Sequence, residues 1–225
     1  MVTALCPKIV VSADGRGVVG HAGARLLADL ADATGLTPGF SDAGLRVRDA
    51  GHDPGRVAVD LAVLLADGGA TISDLAVLRN EPDLFGAVAS DPTVWRVLSN
   101  VGESGWPVCV TPGPGHGNWP GRRRPRPARV CPSRRRQDCQ SLVWSWIWEL
   151  ALTGIDLLAW TQHLLLDGEL AVAEPKKPRY RLLRVATRLT RTARQTRLRI
   201  AGTWPWATDL ATAFTRLTAL LRPIG

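Results

Sequence analysis

A mainly α fold with a few short strands is what this 225-residue sequence predicts, and three observations lead there. Apolar residues recur at helical spacing in several separate runs, and capping residues and glycine stops bracket those runs. Only two short stretches cluster or alternate β-branched residues as strands do. The 45% apolar content is ordinary for a globular chain, so a packed core is expected rather than general disorder.

The elements follow in chain order. Residues 8–19, "KIVVSADGRGVV", hold two short β-branched runs around Ala13, Asp14 and Gly15, a turn signal that predicts a β-hairpin. In residues 22–33, Leu26, Leu27 and Leu30 fall at helical spacing, and Gly35 with Pro38 stops the run, giving an amphipathic helix. A second helix starts with Asp53 as N-cap and Pro54 at its first position and runs to Gly68 and Gly69. It is apolar nearly all round and belongs in a core. Ser73 opens a third helix through Leu78 and Arg79, and "SDPTVWRVLS" a fourth, capped by Ser90 or Asp91 with Pro92 in its first turn. Residues 1–99 thus read as one mostly helical region.

Residues 100–140 break the pattern. They hold seven Pro, six Gly and eight Arg, one Ala, and no Leu, Ile or Phe, a composition that builds no core and predicts a disordered junction. Residues 141–225 return to order. The run "SLVWSWIWELALTGIDLLAWTQHLLLDGEL" is long enough to raise a membrane span, but Glu149, Asp156, Gln162 and His163 interrupt it and favour a buried core helix. A membrane anchor over 142–166 with arginines against anionic lipid is the weaker alternative. Beyond Pro175 and Pro178, Leu182, Leu183, Val185, Ala186 and Leu189 alternate with Arg in a basic helical stretch. Thr196 to Ile200 then reads as a short strand, and a last helix spans 208–221.

Charge is divided between the ends. Residues 1–100 carry 8 basic and 12 acidic side chains, residues 101–140 carry 8 and 2, and residues 141–225 carry 12 and 6, summing to the formal +8. A basic balance points to a polyanionic partner, with DNA the first expectation and no membrane. Of the basic residues 25 are Arg and 3 are Lys, the usage of GC-rich codons. Four cysteines without an export signal lead to an expected reducing, cytoplasmic location.

Motifs for other chemistry are weak. "ADGRG" lacks the full glycine-rich phosphate-binding patterns, His21, His52, His116 and His163 stand at no metal-ligand spacing, and Cys131 and Cys139 lie eight apart. No catalytic residue and no metal ligand is assigned. Trp144, Trp146, Trp148 and Trp160 offer rings for base stacking, but on an apolar helix they are expected to pack. The candidate DNA-binding residues are Arg179, Arg181, Arg184, Arg188, Arg191, Arg194, Arg197 and Arg199, which either track phosphates or form a solvated face over a Leu stripe.

Two long strings carry a resemblance. "VSADGRGVVGHAGARLLADLADATGL" with "GHDPGRVAVDLAVLLADGGATISDLAVLRNEPDLFGAVASDPTVWRVL" resembles the N-terminal part of bacterial insertion-sequence transposases of the DDE domain group 1 family. "LALTGIDLLAWTQHLLLDGELAVAEPKKPRYRLLRVATRLTRTARQTRLRIAGTWPWATDLATAFTRL" resembles the C-terminal part of that family, and together they cover about four fifths of the chain. The resemblance implies a longer protein with an RNase H-like catalytic domain between these parts, which cuts and joins DNA with two divalent ions, Mg²⁺, held by three carboxylates. Nothing between Ser99 and Val143 matches those carboxylates, so no catalytic residue is carried over and no cofactor is expected in this chain.

Reading GC-rich Ala and Gly codons one base out of phase yields Pro, Arg and Gly codons, the composition of 100–140. That segment therefore reads as a frame-shifted junction replacing the catalytic domain. The expectation is a remnant of a DNA transposase, catalytically inactive. The alternative is a non-enzymatic DNA-binding protein that associates with itself or with a full-length transposase and interferes with it.

Overall fold

The structure, a computed structural model, describes residues 9–15, 20–42, 51–100, 136–192 and 195–220. Helices dominate, and a three-stranded sheet lies against them. Strand β1 (Ile9–Gly15) is followed by helix α1 (Ala24–Ala33), whose Leu26, Leu27 and Leu30 are buried as their spacing predicts. That helix stops before Gly35, which is left-handed, as the sequence predicts, and an unforeseen helix α2 (Leu36–Asp42) follows with Pro38 inside it. Pro38 occupies the first turn, where the backbone amide has no partner within the helix, so its ring costs nothing there.

Helix α3 (Pro54–Asp67) begins as expected: the Asp53 carboxylate accepts from the Arg56 amide at 3.1 Å, and Pro54 is the first helical residue. It ends at Gly68, which takes the left-handed conformation that such a cap requires. All but three of its residues are buried. A 3₁₀ turn, Ile72–Leu75, leads into α4 (Ala76–Arg79) and starts before Ser73, because Thr71 and Asp74 form the capping box. Short α5 (Pro82–Phe85) and then α6 (Asp91–Asn100) complete the first half.

The arginine run, in 101–135, lies outside the described residues. Helix α7 (Arg136–Trp160) starts five residues before the expected return to order and passes into a π-helical turn, Thr161–Leu165. Short helices α8 (Gly168–Ala171) and α9 (Lys176–Pro178) and a second π turn, Arg179–Leu183, lead to β2 (Thr187–Thr192), β3 (Gln195–Ala201) and α10 (Ala207–Leu220). The sheet order is β1-β3-β2, with β1 parallel and β2 antiparallel to β3.

Two expectations about strands are corrected. Ala13, Asp14 and Gly15 do not form a hairpin turn; they belong to β1, where the register slips between Ser12 and Gly15 as a bulge. Asp-Gly suits a bulge as well as a turn, and the long-range partner β3 decides between them. The expected second arm, 16–19, lies outside the described residues. The basic helical stretch ends at Leu183, and Thr187–Thr192 is a strand instead. Its "TRLTRT" alternation buries Thr187 and exposes Arg188, a period of two that outweighs the helical spacing of the leucines before it.

One apolar cluster joins the two halves. It runs from Leu26, Leu61 and Leu84 to Leu150, Leu182, Leu198 and Phe214 without a gap. At two places among the described residues the backbones of the two halves meet so closely that only glycine fits. A Cβ on Gly23 would lie 1.8 Å from the Leu182 carbonyl oxygen, and the Gly23 amide donates to the Leu183 carbonyl at 3.1 Å. A Cβ on Gly154 in α7 would lie 2.6 Å from the Ala62 carbonyl oxygen in α3. Among the described residues no single helix is long and apolar enough to cross a membrane. The bent pair that passes by length and composition, Pro54–Asp67 with Ile72–Arg79, has α3 as its first arm, and α3 is core.

Gly23→Ala and Gly154→Val both push atoms into backbone that cannot step aside, so each is expected to lower unfolding free energy by about 1–3 kcal/mol. Gly20→Ala, with open space around it, is expected to stay within about 0.5 kcal/mol of wild type in the same denaturant titration.

Candidate nucleic-acid interface

The eight candidate arginines divide by what they touch. Arg179 and Arg184 face inward toward α3. The Arg179 Nε–H donates to the Ala66 carbonyl at 2.6 Å, and Arg184 donates to the Asp67 carbonyl through Nη2 at 2.8 Å and Nε at 3.3 Å. These carbonyls are the last two of α3 and have no acceptor role within the helix. The preceding two, Leu64 and Leu65, accept from the Gly69 amide at 2.9 Å and the Gly68 amide at 3.1 Å, so the whole terminus is hydrogen-bonded. Positive charge at a helix C-terminus is also favoured by the helix dipole. The buried Asp67 carboxylate adds to the tie, lying 3.7 Å from Arg184 Nε and meeting the Nδ1 of His21.

Arg181 serves a third contact. Its Nη1 donates to Glu169 Oε1 at 2.9 Å, while its guanidinium carbon stands 4.6 Å from the ring centre of Trp206. Arg188, Arg197 and Arg199 are different again. On β3 the residues Thr196, Leu198 and Ile200 are buried, so Arg197 and Arg199 point to the opposite face. Arg188 stands directly across from Arg199 in the β2–β3 ladder, and Thr190 across from Arg197. Arg188 and Arg197 are exposed and Arg199 is half-buried. Like charges placed directly opposite repel, and an anion laid over them relieves that repulsion. Arg191 faces Thr196 in the same register, and Arg194 lies outside the described residues. A leucine-bearing face thus packs inward and a basic face looks out.

Sequence reasoning passed over a second basic surface. A groove of ≈ 430 Å³ is lined by Glu174, Lys176, Lys177, Tyr180, Arg181 and Trp206. Tyr180 is 64% exposed and meets Trp204 edge to face at 5.9 Å, and Trp204 meets Trp206 at 5.4 Å. The Trp204 Nε1–H donates to the Arg181 carbonyl at 2.8 Å, which fixes the aromatic cluster to the π turn. Its signal in the sequence was "KKPRY" followed at a distance by "WPW", a basic-aromatic pair that only the fold brings together. The tryptophans that the sequence does single out divide evenly: Trp146 and Trp160 are core, whereas Trp144 and Trp148 are exposed on α7.

A buried charge network lies in the first half. Arg25, 2% exposed, donates to Asp29 at 2.7 Å and to the Leu84 carbonyl, and Arg56 pairs with Asp60 at 2.9 Å and Asp32 at 3.3 Å. Burial pushes the Asp60 carboxyl up to about 6 against the pull of Arg56, and raises Asp29 against the pull of Arg25. Among the described residues no group of three or more His, Cys, Asp or Glu is placed to hold a metal ion. Glu149 and Asp156 are seven apart on α7.

Comparison of the chain with protein-family models, with curated proteins and with solved structures finds no match.

The Asp60 shift makes a signed prediction. A carboxyl raised on folding contributes stability below its unfolded value, near 4, and loses it as pH rises through the folded value of about 6. Unfolding titrations are therefore expected to show Asp60→Asn gaining on wild type by up to about 2 kcal/mol between pH 4 and pH 7. A pH-independent difference would contradict the assignment.

Proposed function

We propose that this chain is the remnant of an insertion-sequence transposase of the DDE group 1 type, without catalytic activity, in which the two ends keep a shared core and the RNase H-like catalytic domain is absent. The observation that carries this reading is the outer face of α7. Trp144, Trp148, Leu152 and Ile155 fall three to four residues apart on one side of that helix, and all are exposed, Trp148 to 71% and Trp144 to 63%. The opposite side, with Val143, Trp146, Leu150, Thr153 and Leu157, is buried against the first half. A helix apolar on both sides suits a position between two layers. Here one layer is present, and α7 follows directly on the segment that stands where the family's catalytic domain belongs.

The shared core supports the same reading. Strings that resemble opposite ends of one family meet at Gly23, Gly154 and the C-terminus of α3, as expected of parts that once folded in one protein. With the carboxylates gone, what such a remnant keeps is affinity for the backbone of DNA. A second reading, a non-enzymatic DNA-binding protein that competes with a full-length transposase, is favoured by the outward basic face of Arg188, Arg197 and Arg199.

Incubation with Mg²⁺ or Mn²⁺ and DNA carrying the element's ends is expected to give no cleaved or joined product; strand transfer would overturn the reading. Fluorescence anisotropy with a 20-base-pair duplex is expected to show affinity falling steeply with salt. Arg188→Gln and Arg197→Gln each reduce the slope of log K against log salt by about 1. Both variants keep their melting temperature, while Arg184→Gln loses stability and leaves the slope unchanged.

A further inference from the structure

The groove between α9 and the Trp204–Trp206 corner is built for a flat ring carrying negative charge. Its walls are Tyr180, exposed and held edge-on by Trp204, and Arg181, whose planar guanidinium lies over Trp206. Because Arg181 already covers Trp206, the aromatic cluster offers no open cage for a cationic ligand. A π-system is accepted instead, stacking on Tyr180 or on the guanidinium plane. Lys176 and Lys177 stand at the rim, within one turn of Tyr180, and Lys177 is held only loosely, 3.7 Å from Glu169. Glu174, on the same rim, is an acceptor for an N–H of a base. A volume of ≈ 430 Å³ falls within the span of small-ligand sites.

We infer that this groove binds one unpaired nucleotide of single-stranded DNA, the base stacked on Tyr180 and Arg181 and the phosphate held by Lys176 and Lys177. The inference rests on the DNA-binding reading for its ligand class, yet it uses none of the residues of the β2–β3 face. That face tracks the backbone of a duplex, and the groove takes a base that the duplex has released.

The test is anisotropy of the full chain with fluorescein-labelled oligo(dT) of 15 nucleotides and, separately, a duplex of equal length. Tyr180→Leu keeps apolar bulk and removes the ring; it is expected to weaken oligo(dT) binding about tenfold and leave duplex binding unchanged. Tyr180→Phe is expected to bind as wild type does, and Lys176→Gln to lose several-fold with a reduced salt slope. Circular dichroism melting within 2 °C of wild type is expected for all three, since these side chains lie outside the core. Unchanged oligo(dT) affinity in Tyr180→Leu, or equal loss on both DNAs, would overturn the inference. Absence of duplex binding together with Tyr180-dependent oligo(dT) binding would count against the sheet face and support the groove; duplex binding with no oligo(dT) binding would do the reverse.

Discussion

The C-terminus of α3 is where the two ends of the chain become one structure. A helix leaves four carbonyl oxygens without internal donors, and a buried helix end that fails to find donors costs about 1–3 kcal/mol for each oxygen left dry. Here Gly68 and Gly69 supply two donors from the helix's own exit, and Arg179 and Arg184 supply the others from more than a hundred residues away. The same arginine, Arg184, faces the buried carboxylate of Asp67, which His21 engages from the other side. His21 itself takes a left-handed backbone conformation, uncommon for a residue with a side chain, at the point where the chain turns into α1. Arg179 and Arg184 thus reach from the second half to the last carbonyls of α3 in the first, and parting the halves breaks these bonds together with the shared core. Gly23 and Gly154 then let the backbones close to contact distance.

This arrangement separates two uses of one residue type. Arginine is selected for a helix terminus because its fork reaches carbonyls bidentately, and for a phosphate surface because it is always charged. From sequence both look alike, a run of basic residues at short intervals. The fold divides them by strand alternation and by reach: Arg179, Arg181 and Arg184 bend back onto α3 or onto Trp206, and Arg188, Arg197 and Arg199 point away from the core. A functional reading of the whole run as DNA-binding would count structural residues as contacts.

Much of the fold was legible where a local rule had no rival. Asp53 with Pro54, Gly68, and the Leu26–Leu30 spacing each announce their helix, because capping and periodicity act within a few residues. What failed was decided from afar. Asp14-Gly15 suits both a turn and a bulge, and pairing of β1 with β3 across the chain selects the bulge. The leucines at 182, 183 and 189 fit a helix until Thr187 and Leu198 are placed on one sheet face. Of the candidate site, the outward arginines of β3 were within reach of an alternation rule. The groove of Tyr180 and Trp206 was not, because its walls are separated in sequence and are brought together by the fold, through the Trp204–Arg181 hydrogen bond and the ring contacts beside it.

The central claim is that residues before 101 and after 135 share one core and do not form two independent units. A site-specific protease sequence inserted between Pro114 and Gly115 allows the chain to be cut after folding. Size-exclusion chromatography of the cleaved protein under native conditions is predicted to return both fragments in one peak at the elution volume of the uncut chain. Two separate peaks, each holding a folded fragment, would contradict the account.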